Sequence, residues 1–241
     1  MRTVAAPLVL TVLLPAVVVA SPARAAGPLK VRSAGVTGKA VITAQGKTKL
    51  SVRTRVSGTR ITDVDATLRL PNGKGFALVS DLKRVSGSAG DGVYTGTAVL
   101  DKADAGGRYT LEVAATDGTS ANAYYDFVVY RKANAVTVRR ASKVSLTSPA
   151  SAVKGAKVKA KGTVKGLNAK GGFSGLKGRT VQIWFRPKGG KAVRLGTAKT
   201  NAKGGYAYTF KATVDGSVSA RFAGTVQWQK RSTGWKPLDV R

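Results

Sequence analysis

The side chains best suited to chemistry in this sequence are cations that recur at β-strand spacing in its second half. Lys157, Lys159 and Lys161 alternate with Val158 and Ala160. Side chains two positions apart on a strand point to the same face, so these lysines share one surface. A dense positive surface attracts polyanions, although lysines on an edge strand also serve to prevent edge-to-edge pairing. The alternation predicts a lysine face and favours polyanion attraction.

Tryptophans lie among further cations nearby. Trp184 is on the opposite side of its predicted strand from Val181, Ile183 and Phe185. An exposed indole can stack on sugars or bases, or it can be covered by the stems of neighbouring cations. Besides the three lysines, the predicted polyanion-binding set contains Arg179, Trp184, Arg186, Lys188, Lys191, Arg194, Lys230, Arg231, Trp235 and Lys236.

The charge is uneven along the chain. Its 241 residues include 41 Lys and Arg against 11 Asp and Glu, a formal net charge of +30. Residues 26–138 hold 16 basic and 9 acidic residues, whereas residues 139–241 hold 23 and 2. The second half therefore carries most of the positive field, which bears on partners rather than on the fold.

Several kinds of active site are excluded by composition. The sequence has no cysteine and no histidine, so it has no disulfide, no thiolate nucleophile or metal ligand and no imidazole base. A hydrolase would need a Ser–Lys pair or a carboxylate pair, and Glu112 is the only glutamate. We expect no enzymatic activity.

Calcium is the one metal that the carboxylates suggest, because it binds several converging oxygen ligands. Nearly all carboxylates lie in the first half, and two loops could bring Asp63, Asp101 and Asp104 together at one end of a domain. The sequence after Asp63-x-Asp65 lacks the third ligand and the glycine of an EF-hand loop. The alternative is that Asp65 faces solvent and Asp104 fixes a turn. No cofactor is expected unless this site binds Ca²⁺.

The N-terminus has the pattern of a secretory signal peptide. Met1-Arg2 is followed by an apolar stretch, Val4–Ala20, and by small residues at Ala23 and Ala25. This order predicts a signal peptide over residues 1–25, with cleavage before Ala26. The processed chain is then expected outside the cell, without a membrane-spanning segment.

The rest of the sequence predicts short strands separated by Gly, Asn, Asp and Ser. Period-two alternation and turn spacing predict two β-sandwich domains, over residues 26–138 and 139–241, with their boundary in a basic connector, Arg131–Ser142. The first-half candidates are Leu50–Val56, Val64–Leu70, Gly75–Ser80, Val93–Leu100, Tyr109–Ala115 and Ala123–Tyr130. The second-half candidates are Lys143–Leu146, Lys157–Val164, Thr180–Arg186, Ala192–Ala198, Tyr206–Val214, Ser217–Ala223 and Trp235–Val240.

Turn and core motifs carry a family resemblance. The run Asp104–Tyr109 before a strand looks like a tyrosine corner of immunoglobulin-like sandwiches. The second-half motifs are Val153–Gly155, Val158–Gly162, Val181–Phe185, Thr200–Tyr206 and Val218–Gly224. Their order resembles bacterial Ig-like modules in secreted proteins of high-GC Gram-positive bacteria of the Streptomyces type. The first half, with its turn at Ala114–Gly118, resembles the companion domain of such modules. The resemblance implies an all-β protein of two tandem Ig-like domains, and some such relatives are labelled calcium-binding.

These observations together predict a secreted, non-catalytic binding or structural protein. Its expected partner is an anionic cell-wall polymer or polysaccharide, held by electrostatic attraction. One alternative is an extracellular calcium-binding protein that uses the carboxylates of the first domain. A further alternative is non-specific extracellular nucleic-acid binding, for which the charge suffices although no base-reading motif is present.

Overall fold

The computed structural model describes residues 27–70, 73, 76–79, 81–118 and 126–241, and this part of the chain is all-β. Its strands form two β-sandwiches of the predicted immunoglobulin-like type, one after the other along the chain. Within the described residues, no helix is long and apolar enough to cross a membrane. The predicted signal peptide, residues 1–25, lies outside the described residues.

The first sandwich pairs a four-stranded sheet, β1-β3-β7-β6, with a five-stranded sheet, β2-β9-β8-β4-β5. The strands are β1 (Lys30–Thr37), β2 (Val41–Ile42), β3 (Thr48–Ser57), β4 (Ile61–Arg69), β5 (Phe76–Val79), β6 (Lys83–Gly87), β7 (Asp91–Leu100), β8 (Gly107–Asp117) and β9 (Asp126–Arg140).

In the second sandwich, one sheet contains β10, β12, β13 and β16, and the other has the order β11-β19-β17-β14-β15, with β18 beside β17. The strands are β10 (Ser142–Val144), β11 (Ser151–Ala152), β12 (Lys157–Leu167), β13 (Phe173–Gly175), β14 (Thr180–Pro187), β15 (Val193–Lys199), β16 (Gly205–Lys211), β17 (Gly216–Phe222), β18 (Arg231–Ser232) and β19 (Lys236–Val240).

Alternating apolar side chains build a separate core in each sandwich. Leu50 and Leu111 are fully buried in the first cluster, and Val158 and Ile183 are buried in the second. One cluster runs from Val31 to Val138 with Ala141 and Leu167, and the other contains residues from Leu146 to Leu238. The period-two pattern in the sequence is therefore the pattern of core-facing positions.

The predicted tyrosine corner is present. The hydroxyl of Tyr109 donates a hydrogen bond to the main-chain oxygen of Ala105 at 2.8 Å, and the side chain is fully buried. Burial raises the pKa of Tyr109 to about 12. A second buried tyrosine, Tyr206, donates in the same way to the main-chain oxygen of Ser145 at 2.6 Å. Each hydroxyl ties a nearby main-chain segment to its core.

The prediction that the segment Arg131–Ser142 is a connector is wrong. Strand β9 continues through it to Arg140 and pairs with β8 on both sides of a bulge between Tyr109 and Leu111. Val138 is fully buried in the first core. Four basic residues in this segment, Arg131, Lys132, Arg139 and Arg140, conceal its short core-facing alternation in the sequence.

Arg140 joins the two sandwiches. Its side chain is only 7% exposed, and its guanidinium donates to the main-chain oxygens of Lys102 (2.6 Å) and Asp104 in the first sandwich and of Leu167 (2.8 Å) in the second. Its own main chain bonds to Gln227 and Gln229. Desolvation on burial lowers the pKa of Arg140. The junction is a packed and hydrogen-bonded interface.

Candidate polyanion-binding surface

Strand β14 presents one apolar and one polar face. Val181, Ile183 and Phe185 are buried in the second core, as predicted, while Trp184 and Arg186 lie on the other face. Trp184 is half-buried and Arg186 is exposed. The outer surface of the sheet β11-β19-β17-β14-β15 therefore carries an indole beside a guanidinium.

The neighbouring strand adds a second arginine to this surface. Arg221 on β17 is paired in register with Gln182, which places it diagonally beside Trp184. Its guanidinium carbon lies 4.2 Å from the centre of the Trp184 ring and 5.8 Å from that of Trp235. Arg186 lies 4.7 Å from the centre of the Trp235 ring. We call Trp184, Arg186, Arg221 and Trp235 the Trp–Arg stack.

Hydrogen bonds position the stack. The indole Nε1–H of Trp184 donates to the side-chain oxygen of Gln182 at 3.1 Å. The segment that carries Trp235 is held to β17 because Thr233 accepts a hydrogen bond from the main-chain N–H of Ala220 at 3.0 Å. Ser219, only 2% exposed, donates to the main-chain oxygen of Thr233 at 3.2 Å. The rings are therefore fixed by the sheet beneath them.

Neither arginine of the stack forms an ion pair with any described carboxylate. The second half of the chain has only two acids, Asp215 and Asp239. Asp215 accepts the main-chain N–H of Val240 at 2.7 Å, and Asp239 pairs with Arg241 at 3.0 Å. A guanidinium positioned over an indole ring keeps N–H donors available for an oxyanion.

Other predicted residues extend this surface. Arg194 on β15 is exposed and is paired in register with Trp184. Lys188 lies in the turn after β14 and, with Arg186, lines an open groove of about 570 Å³. Asp215 and Asp239 lie in the lining of the same groove. Lys191 is exposed in the same turn. The cations that follow Trp184 thus gather around the stack.

The predicted lysine face is on the other side of the sandwich. Lys157, Lys159 and Lys161 are all exposed on β12, and Lys157 is paired in register with Lys211 of β16. Lys159 and Lys161 line an open groove of about 620 Å³ with Lys199. Because β12 and β14 belong to opposite sheets of one sandwich, the lysine face and the Trp–Arg stack cannot contact one short ligand.

The remaining members of the predicted set lie apart from the stack. Arg179 lines a cleft between the two sandwiches. Arg231 pairs in register with the buried Phe222, so it points away from the outer face, into a groove that Lys143 also lines. Lys230 and Lys236 are exposed at the strand ends.

Arg221 is a stack residue that we did not predict. The sequence does indicate that Arg221 faces outward, because Ser217, Ser219 and Arg221 alternate with three core residues of β17. Without the pairing of β14 with β17, nothing in the sequence links Arg221 to Trp184.

The predicted calcium set does not come together. Asp63 pairs in register with Thr116 at one end of β8, whereas Asp101 and Asp104 lie in the turn before Gly107 at the other end. Nine residues of strand separate these ends by roughly 30 Å. Asp104 instead accepts the main-chain N–H of Asp101, and Asp101 that of Ala103, each at 2.7 Å. These two carboxylates fix their turn.

A different acidic group forms around Asp63. Carboxylate oxygens of Asp63, Asp65 and Asp81 lie within 4.8 Å of one another. Asp65 accepts the main-chain N–H of Asp81 at 2.8 Å. Desolvation, followed by repulsion from Asp65 and Asp81, raises the pKa of Asp63. Asp65 thus has the structural role of fixing the turn at Asp81.

Other carboxylates have local partners. Asp91 forms two hydrogen bonds with Arg55, at 2.9 and 2.7 Å, and Glu112 lies 3.1 Å from both Arg69 and Arg131. The buried carboxylate of Asp117 accepts the main-chain N–H groups of residues 59 and 60. These carboxylates therefore stabilise local structure.

No protein-family model and no curated protein matches this chain. Several solved structures resemble it. A DUF4785 family protein from Legionella pneumophila is 15% identical with a TM-score of 0.35; the match covers 87% of this chain and 55% of that one. Rst D1-D2 is 12% identical with a TM-score of 0.45, covering 89% and 100%. A marsupial T cell receptor is 14% identical with a TM-score of 0.42, covering 88% and 73%.

Proposed function

We propose that this protein is a secreted, non-catalytic binding protein that attaches to anionic extracellular polymers through its second sandwich. The Trp–Arg stack is the principal contact, and the other cations contribute a wider attractive field. The observation that carries the proposal is that Arg186 and Arg221 are held over indole rings while no described carboxylate pairs with them.

The stack prepares its arginines for an external anion. Arginine side chains lose rotamer freedom when they bind, and a binding group that is already ordered avoids much of that cost. Contact with Trp184 and Trp235 orders the guanidiniums in advance. Carboxylate, sulfate and phosphate groups accept two parallel hydrogen bonds from one guanidinium. The stack therefore matches a polymer that carries such groups at intervals.

The covered indoles favour this ligand class over single-stranded nucleic acid. Base binding without sequence preference relies on open aromatic faces on which bases stack. At least one face of Trp184 and one of Trp235 is occupied by a guanidinium. A guanidinium over a ring blocks base stacking on that face, so we propose anionic cell-wall polymer or acidic polysaccharide as the partner. Nucleic acid would bind only through its phosphates.

Comparison of two charge-matched double variants tests the proposal. Arg186→Gln/Arg221→Gln removes two cations from the stack, and Lys157→Gln/Lys159→Gln removes two from the lysine face. Binding to purified teichoic acid at 0.05–0.3 M NaCl should weaken at least about tenfold in the first variant and less than about threefold in the second. Equal losses would show that net charge alone governs binding, and no binding by the unchanged protein would refute the proposal.

Location provides a second test. A protein held on the cell wall by charge should be released by a wash at about 1 M salt, where the screening length falls to about 3 Å. Retention of the protein on washed cells under these conditions would contradict electrostatic attachment.

A further inference from the structure

The junction of the two sandwiches encloses a cleft of about 700 Å³. The first sandwich contributes Leu70, the turn before β8 and Arg108, and the second contributes Arg179 and the segment Thr225–Gln227. Arg140 fixes the two sides by donating to main-chain oxygens of both sandwiches. The cleft is therefore preformed, and ligand sites occur preferentially at such domain interfaces.

The walls of the cleft touch at its floor. A Cβ atom on Gly106 would lie 2.5 Å from the main-chain oxygen of Gln227, so the two backbones are too close for any side chain there. Arg139 donates from Nε to the main-chain oxygen of Thr225 at 3.1 Å, which ties the second wall to β9. These contacts hold both walls of the cleft in place without a ligand.

Positive charge is unbalanced in this cleft. Arg108 and Arg179 both line it, and none of its described lining residues is acidic. Nε of Arg179 is buried and has no hydrogen-bond partner among the described residues. The Arg108 and Arg179 side chains line the cleft, so an oxyanion there would accept hydrogen bonds from their accessible guanidinium N–H groups and would neutralise the charge. The arginines thus define one end of a site.

Apolar side chains form one part of the remaining lining, beside the polar residues Asn134, Thr225 and Gln227. Leu70 and Ala105 come from the first sandwich, and Val226, which is 39% exposed, comes from the second. A cleft of about 700 Å³ has room for a short aliphatic or aromatic group. It differs from the Trp–Arg stack, which lies on an open sheet face and has guanidinium groups over indole rings.

We infer that this cleft binds a small organic anion with one oxyanion group at Arg108 and Arg179 and a short apolar body against Leu70 and Val226. A carboxylate and a phosphate monoester share this chemistry. The inference does not rest on the proposed attachment to polymers, because the two sites use different arginines.

NMR of arginine Nε–H groups in the full chain tests the inference. The probes are hexanoate and butyl phosphate, with acetate and inorganic phosphate as matched anions without an apolar body, all in 0.15 M NaCl. We expect saturable shifts of the Arg179 Nε–H signal with hexanoate, butyl phosphate or both. The dissociation constant should be at least about tenfold lower than for the matched short anion, since each buried methylene contributes up to about a fourfold gain. Which probe binds identifies the preferred oxyanion.

Two variants and one control separate this site from general anion attraction. Arg179→Gln should abolish saturation, and Val226→Asp should do the same by placing a carboxylate at an exposed position of the cleft. Arg186→Gln should leave the titration unchanged because it alters only the Trp–Arg stack. Linear shifts without saturation for every probe, or equal affinity in the unchanged protein and in both cleft variants, would overturn the inference.

Discussion

Arg221 and Trp184 stand on neighbouring strands with the guanidinium carbon of one 4.2 Å from the ring centre of the other. Cross-strand register brings them together, because Arg221 pairs with Gln182 two residues before Trp184. Arg186 and Trp235 repeat the contact at 4.7 Å. The proposed binding mode requires that the tryptophans order the arginines. The total charge of the protein does not determine that order.

The indole of Trp184 should matter although it carries no charge. Trp184→Leu removes the ring that orders Arg221, and cation–π contacts of this type contribute about 0.5–2 kcal/mol. We expect teichoic acid affinity to fall about threefold to tenfold while the salt dependence of binding stays unchanged, since no phosphate contact is lost. Unchanged affinity in a folded Trp184→Leu protein would contradict the ordering role.

Arg140 should be the main determinant of the rigid junction. Arg140→Gln removes the donors to the main-chain oxygens of Lys102, Asp104 and Leu167 at the junction, of which the contact with Leu167 is buried. We expect this to cost about 2–4 kcal/mol of unfolding free energy. Solution scattering should also show a wider range of interdomain distances. The control variant is Arg139→Gln, which alters the exposed neighbouring residue. It should change the unfolding free energy by less than about 1 kcal/mol. Equal stability of the two variants would refute the role of Arg140.

Alkaline stability should depend on Tyr109. Its pKa is raised to about 12 in the folded protein from the ordinary value of 10. The folded state therefore binds the phenolic proton more tightly, so this contribution is complete below pH 10 and is lost as the pH rises towards 12. Tyr109→Phe should be less stable at pH 7, because it lacks the hydrogen bond to Ala105, and should lose less stability than the unchanged protein between pH 10 and 12. Parallel pH profiles of the two proteins would contradict this.

Asp63 should lower stability at neutral pH. Its pKa is raised by desolvation and by Asp65 and Asp81, so the charged form is disfavoured in the folded state. The stabilising contribution of the protonated form is present below the unfolded pKa, near 4, and is lost as the pH rises through the raised folded value. Asp63→Asn should therefore melt at a higher temperature than the unchanged protein at pH 7 and at a similar temperature near pH 3. A lower melting temperature at pH 7 would contradict repulsion among these carboxylates.

Most strands were predictable because their core-facing residues alternate. Leu50, Val52 and Val56 on β3 are fully buried, and the alternation alone locates that strand. Strand β6, Lys83–Gly87, is exposed at every position, so no apolar period marks it. We did not predict the second half of β9 as a strand, because it contains more basic residues than core-facing apolar residues. Strands without a clear apolar period are the ones that the sequence pattern identifies least well.

The candidate site was predictable within a strand but not between strands. Alternation places Trp184 and Arg186 on one face and Lys157 and Lys159 on another. Which strands are neighbours depends on the fold. The contact of Arg221 with Trp184 and the separation of Asp63 from Asp104 therefore cannot be predicted from the local sequence.

The affinity of Arg186→Gln/Arg221→Gln for teichoic acid, measured against that of Lys157→Gln/Lys159→Gln at equal salt, tests whether the Trp–Arg stack is the principal contact. Both variants lose two positive charges from the same sandwich, so they are matched in charge and differ in the surface altered and in the type of cation removed. We expect a loss of at least about tenfold for the stack variant and less than about threefold for the lysine variant. Equal losses in the two variants, or a greater loss in the lysine variant, would contradict it.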